Sequence, residues 1–464
     1  MSGRQPRRSL GPLLAAAALV VVTACAPPAH LQSTSSPASA GDIRIGAVFP
    51  IDGNAAGLAR EELAGVQAAA DFVNSDGGIA GRRIDLVVRD LESGSDAPAV
   101  MAALEADGAT VVVGAYASAL SIPASQAASD AGLVYWEAGA VADRLTGRGL
   151  PLVFRVGASG TNLGSNSAAF AATQLAPQLT KTPAQMRVAI VAANDDYAQS
   201  VADAAAATAA VDGTPVIARA TYDLTMPDFP AVMTQLRDAR PDVVILASHI
   251  PDGVAFRRAM LASNLHVGAL IGSTMAECDP DFAGDLGRDA IGVFASDRPT
   301  GGFQPTALDP AARALYDRFA TASAARGHGS LRSGEYGSSA PAASSSEYAI
   351  SGLVEAGSAA GGPSEEALSG FSAAWALFHD VLPLAARSGP LDASAIATAG
   401  RSTDLPTGAL PNGAGLRFSA DPATLGQNER AAAVIWQWQA VRSYTFVWPP
   451  TYQTGDVAFV PLDR

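Results

Sequence analysis

Apolar residues recur in short runs along this chain, and from Ile43 onward those runs alternate with segments of helical period. Ile43–Phe49 (IRIGAVF) reads as a strand. A loop from Pro50 to Gly57 then leads into a helix with Leu63, Val66, Ala70 and Val73 on one face. Asn74-Ser75-Asp76-Gly77-Gly78 ends that helix, because glycine past a last turn takes the left-handed conformation at no steric cost. Further strands are predicted at 84–89, 110–113, 133–136 and 152–155, with alanine-rich helical stretches between several of them. This β-α-β rhythm belongs to a parallel sheet covered by helices on both faces.

The rhythm then restarts, with strands at 187–192, 216–222, 243–247 and 269–272 and helices near Val201, Val232 and Phe256. A doubly wound sheet rarely grows indefinitely, so two successive sets predict two lobes. The first crossover is placed near 156–162 and a return near 295–300, where Pro299, Gly301 and Gly302 interrupt the pattern. Gly327 to Pro363 is rich in Ser, Ala and Gly and is expected to be a solvated insertion. Helix resumes around 371–386. The C-terminal part offers a short strand at 416–418 and then a pair at 433–439 and 444–448, joined by a turn. The expected layout is lobe 1 from 42–158 and 297–405, lobe 2 from 159–296 and 406–448, and a tail over 449–464.

The N-terminus carries a different pattern. Arg4, Arg7 and Arg8 precede a mostly apolar run from Leu10 to Val22, too short and alanine-rich for a good spanning helix. It ends in Val22-Thr23-Ala24-Cys25, which resembles a bacterial lipoprotein cleavage site. Residues 1–24 are therefore expected to be an export signal, Cys25 the lipidated residue, and 25–41 a flexible Pro/Ser/Ala tether that leaves the protein outside the cytoplasm on the membrane. Cys278 is the second of two cysteines, so with Cys25 acylated no intrachain disulfide is expected.

Composition narrows the function. The chain has 464 residues, 48% of them hydrophobic and 16% charged, which suits a folded protein. Its net charge is −14, and loss of the leader's arginines makes it more negative. Such a surface repels phosphate backbones, so nucleic acid is not an expected partner. Neither a Gly-x-Ser-x-Gly elbow, a Walker loop nor a His-Glu-x-x-His motif is present, and the five histidines are scattered, so no catalytic residue or cofactor is predicted. Asp279, Asp281 and Asp285 faintly follow a calcium loop, but Ala290 stands where the bidentate glutamate belongs, and no metal is predicted.

IRIGAVFPIDGNAAG, the helix ending DFVNSDGGIAGRRIDLVVRD, and the segments VVVGAYASALSIPASQAASDAGLVYWEAGAVADRLT, RVAIVAANDDYAQSVADA and VIWQWQAVRSYTFVWPPTYQTGD together resemble type I periplasmic binding proteins. The subgroup is the branched-chain amino acid and amide binders of ABC transporters. The resemblance implies an α/β fold of two doubly wound parallel-sheet lobes joined by a three-segment hinge, closing on a small polar ligand. It also implies a monomer, no enzymatic activity, and delivery of the ligand to an ABC transporter permease. A ligand-sensing receptor that signals to a kinase or regulator is the alternative.

By the same resemblance, Ser118 would hold a ligand carboxylate, with helix capping as its ordinary role. Ala140 and Val141 fall in the second carboxylate loop, where Val141 replaces a threonine and loses its hydroxyl. Tyr197 and His249 would line lobe 2. Thr274 stands where amino-acid binders place an acid for the ligand's ammonium, and Glu277 could substitute through a shifted loop. Phe371 would close the cleft from the returning helix. The incomplete clamp points to a ligand other than a standard α-amino acid, such as a carboxylate, an amide or another less charged metabolite.

Overall fold

A computed structural model describes residues 41–52, 56–273, 277–278, 280–325, 362–441 and 443–462. The export signal, Cys25, Thr274 and nearly all of the expected insertion over 327–363 lie outside the described residues. Strands β1 (Ile43–Phe49), β2 (Ile84–Asp90), β3 (Val111–Gly114), β4 (Val134–Glu137) and β5 (Val153–Arg155) form one sheet in the order β2-β1-β3-β4-β5, every pair parallel. Strands β6 (Val188–Ala193), β7 (Val216–Tyr222), β8 (Val243–Ala247), β9 (Ala269–Ser273) and β10 (Phe294–Asp297) repeat that order as β7-β6-β8-β9-β10, again parallel. An antiparallel pair, β11 (Val434–Ala440) and β12 (Ser443–Trp448), extends the second sheet beyond β10.

The strand sequences explain this arrangement. VVVG, VYWE, VAIVAA and VVILA are unbroken apolar or nearly apolar runs, and every residue in them is buried. Strands covered by helices on both faces need no polar side. The edge strands β2 and β7 carry charged residues and are only partly buried. On one face of the first sheet the helices Ala56–Ser75, Pro310–Ala325 and Glu365–Trp375 share a core; Ala97–Ala106 and Ser118–Asp130 cover the other. Gly160–Phe170, Asp196–Val211, Phe229–Ala239 and Ile250–Ala262 pack in the core of the second.

Three segments connect the sheets: residues 156–159, 298–302 and 429–433. The first and last are tied where they begin, since the Asn428 side-chain amide donates to the Val156 carbonyl, and to that of Gly415, at 2.9 Å each. Two details depart from the sequence reading. Strand β10, expected as a break, pairs with both β9 and β11. The 416–418 segment makes only isolated bridges, and Phe418 packs edge-on against Trp136 at 5.2 Å and Phe154 at 4.9 Å in the first core. The last crossing therefore follows Asn428 rather than residue 405, because Leu410, Leu416 and Phe418 are held by the first sheet.

Candidate ligand-binding site

In a doubly wound sheet the strand order reverses beside the first strand, and the loops that diverge there leave a crevice at the carboxyl ends. Both sheets carry this feature. On the first lobe, Ser118 opens the Ser118–Asp130 helix after β3. Its Oγ accepts hydrogen bonds from the Val141 and Ala142 amides at 3.2 and 3.0 Å, so Ser118 and Val141 meet directly. Ala140 is buried beside them, and its amide donates to Glu137 Oε1 at 2.9 Å. Arg155 holds the same loop from behind. Its guanidinium, 1% exposed, donates to the carbonyls of Ala140, Val141 and Ala142 at 3.3, 2.8 and 2.7 Å. Burial lowers its pKa to about 10, which leaves it charged at neutral pH.

On the second lobe, Asp195 caps the Asp196–Val211 helix by accepting from the Ala198 amide at 2.8 Å. That cap positions Tyr197, whose hydroxyl lies against the strand-end carbonyls of Ser248 (3.1 Å) and Ser273. His249 packs edge-on to the Tyr197 ring, 5.1 Å between centroids, and its Nε2 is 3.0 Å from Asp195 Oδ2. Burial pulls the His249 pKa down, but the hydrogen bond and charge of Asp195, with Asp252 behind, outweigh it and leave it raised. Glu277 is fully buried in the same place, with Ser248 Oγ 3.5 Å from its Oε2. The lobes touch beside this region, where Arg144 pairs with Asp196 at 3.0 Å and the Asp143 amide donates to Ser200 at 3.0 Å.

The structure thus brings Ser118, Ala140 and Val141 together on the first lobe and Tyr197 and His249 together on the second. Phe371 is elsewhere. Its ring is fully buried, stacked 4.0 Å from Phe319 and edge-on to Phe72 at 5.5 Å, within the helix layer of the first lobe. The expectation that it closes the cleft is corrected: the Glu365–Trp375 helix is buried on nearly every face, and an aromatic at helical spacing on such a helix goes to the core.

Residues 42–340 match the family model described as periplasmic binding protein. The chain belongs to this family. In it, the Leu/Ile/Val-binding protein homolog 8 of Brucella suis is 29% identical over 411 residues, covering 88% of this chain and 91% of that one. A branched-chain amino acid transporter substrate binding protein from Streptococcus pneumoniae, solved in complex with isoleucine, superposes with a TM-score of 0.64 at 19% identity. It covers 88% of this chain and all of the other. A putative branched-chain amino acid ABC transporter protein from Silicibacter pomeroyi gives 0.66 at 20% identity, covering 90% and 99%. These likenesses share the two-lobed type I fold, and the relatives are binding proteins, so this periplasmic binding protein is not an enzyme. The family is extracytoplasmic, and among the described residues no helix is long and apolar enough to cross a membrane.

Several residues at the site escaped the sequence reading. Arg155 was visible as a lone base in the apolar strand VFR, a signal that a buried cation needs a purpose. Arg298 is 4% exposed; it pairs with Glu365 at 2.6 Å and donates to the Gly139 carbonyl at 2.5 Å. Glu62 lies buried in the Ala56–Ser75 helix, where its sequence neighbours Glu61 and Arg60 make it look like one more surface charge.

Proposed function

We propose that this protein captures a small polar, amino-acid-like metabolite by closing its two lobes and delivers it to an ABC transporter permease, held at the membrane by a lipid on Cys25. The observation that carries the reading is the pairing of two sheets of the same order, each presenting polar strand-end groups. Ser118 and the 139–142 loop stand on one wall, Tyr197 and His249 on the other. The relatives named for leucine, isoleucine and valine support an amino-acid-like ligand. Lobe closure is a hinge motion about the three connecting segments, and the closed surface is what a permease recognises.

A thermal-shift screen of the full-length protein in detergent, paired with small-angle scattering, tests the capture step. A ligand at 100 times its dissociation constant adds about 2.7 kcal/mol of stability and contracts the molecule, and Ser118→Ala with Tyr197→Ala removes the effect. A shift that survives this double substitution places the ligand elsewhere. Cys25→Ser releases the protein from the membrane fraction if the lipid is its anchor.

A further inference from the structure

The segment that follows β12, residues 449–462, packs on both lobes in turn. Pro449 and Pro450, whose rings fix the backbone φ, lead out of β12, and Tyr452 then enters lobe 1. Its side chain is buried in the first core, edge-on to Phe303 with 5.4 Å between ring centroids. The Tyr452 carbonyl accepts from the Gln304 amide at 3.1 Å. Gly413 makes room for the ring, since a methyl group there would overlap it. The Tyr452 hydroxyl is buried with no hydrogen-bond partner, so packing of the ring rather than a polar contact holds this residue.

The segment then returns to lobe 2. The Thr454 amide donates to the Phe446 carbonyl of β12 at 2.9 Å, and the Phe446 amide donates back to Thr454 Oγ1 at 3.1 Å. Gln437 of β11, fully buried, holds Ala458 by both ends of its side-chain amide: Nε2 donates to the Ala458 carbonyl, and Oε1 accepts from the Ala458 amide at 2.8 Å. The Leu462 amide donates to the Gly268 carbonyl, just before β9, at 2.9 Å. The Leu462 side chain is buried in the second core, against Gly292.

Residues 449–462 thus link Phe303, Gln304 and Gly413 of lobe 1 to Gly268, Gly292 and Gln437 of lobe 2 without being one of the three crossings. They lie beside the second crossing, where the Tyr444 hydroxyl donates to the Gly301 carbonyl at 3.2 Å and the Phe446 ring is 6.3 Å from Phe303. Parting the lobes here exposes aromatic rings to water, at a cost that grows with the apolar area uncovered. The Arg144–Asp196 pair, which also joins the lobes, is 60% and 47% exposed, and so exposed a pair resists separation little. We propose that residues 449–462 form an interlobe clasp, anchored by Tyr452 in lobe 1 and Leu462 in lobe 2, that limits how far the lobes part and makes them unfold together. The clasp goes beyond the capture reading, and its test uses no ligand, so either can fail alone.

Scanning calorimetry and small-angle scattering of the ligand-free, full-length protein in detergent test the clasp, with Tyr452→Phe, Tyr452→Ala and Leu462→Ala as variants. The wild type is expected to melt in a single transition. Tyr452→Phe keeps the ring and loses only the unpaired hydroxyl, so it melts singly, no lower than the wild type, with the same radius of gyration. Tyr452→Ala and Leu462→Ala each split the melt into two transitions and enlarge the radius of gyration. In Tyr452→Ala, hydrogen exchange at the Gln304 amide is also faster by about tenfold or more. Two separate transitions in the wild type overturn the clasp, and that measurement decides even where an alanine variant fails to fold. An alanine variant that folds, melts singly and keeps the wild-type dimensions overturns it as well.

Discussion

Arg298 shows how single residues hold this site. Its guanidinium bonds Glu365 at 2.6 and 2.8 Å and the Gly139 carbonyl at 2.5 Å, joining a hinge segment to the returning helix and the 139–142 loop. Removing one member of a buried pair strands the other charge and costs about 3–5 kcal/mol. Arg298→Met is expected to lower the unfolding free energy by about that amount, measured by urea denaturation. Arg155 acts on the same loop through three carbonyls, so Arg155→Leu should speed hydrogen exchange at the Val141 and Ala142 amides while exchange in the core of β3 is unchanged. At this scale the sequence was partly legible. Ser118 and Tyr197 could be placed because each follows a recognisable strand or cap. Arg298, in the loop that the sequence reading saw only as a return, gave no sign of its partner Glu365, 67 positions away.

The helices are built from capping and packing that can be tested element by element. Ser364 caps the Glu365–Trp375 helix by accepting from the Ala367 amide at 3.2 Å, with Glu365 and Glu366 in its first turn where the helix dipole favours acids. Ten of the helix's eleven residues are buried, Glu365, Glu366, Ser369 and Ser372 among them, so polarity does not mark an outward face and periodicity cannot choose the inward one. That is why Phe371 could be assigned to the cleft from sequence and is found in the core. Phe371→Ala is expected to destabilise the protein by about 3–5 kcal/mol in chemical denaturation while ligand affinity stays within about twofold. The central strands were legible within a residue or two because parallel strands buried on both faces are continuous apolar runs. Strand β10 was not, since FASD ends in polar residues that are buried only because β9 and β11 flank it.

For the whole molecule, the buried acids set an unusual response to pH. Burial and the charge of Glu365 raise the Asp297 pKa from its ordinary 3.8 to about 7, and burial first, then neighbouring acids, raise Glu62. A carboxyl whose folded pKa is raised keeps its proton in the fold, so its contribution is most favourable below the unfolded value and declines as pH climbs to the folded one. His249, also raised, adds stability below its ordinary 6.5 that is lost as pH rises through its folded value. Asp195 and Asp76, lowered, act only as pH falls below about 3.8. The melting temperature of the ligand-free protein is therefore expected to fall between about pH 4 and pH 7, and Asp297→Asn to flatten that slope; a melting temperature that rises across this window would contradict the assignment.

What the sequence by itself determined is the alternation of buried strands and helices, its restart, and hence two lobes. Those features arise from local periodicity and from apolar runs of strand length, which a chain carries wherever it folds. What only the tertiary structure decided is which distant groups meet: Glu62 on Gly139, Arg298 with Glu365 and Phe418 against Trp136. These pairs form through strand-end loops and hinge crossings brought together by the packed sheets. Burial and the loss of hydrogen-bond donors are properties of that assembled space, and they give ordinary acidic residues the raised pKa values of carboxyls that keep their protons.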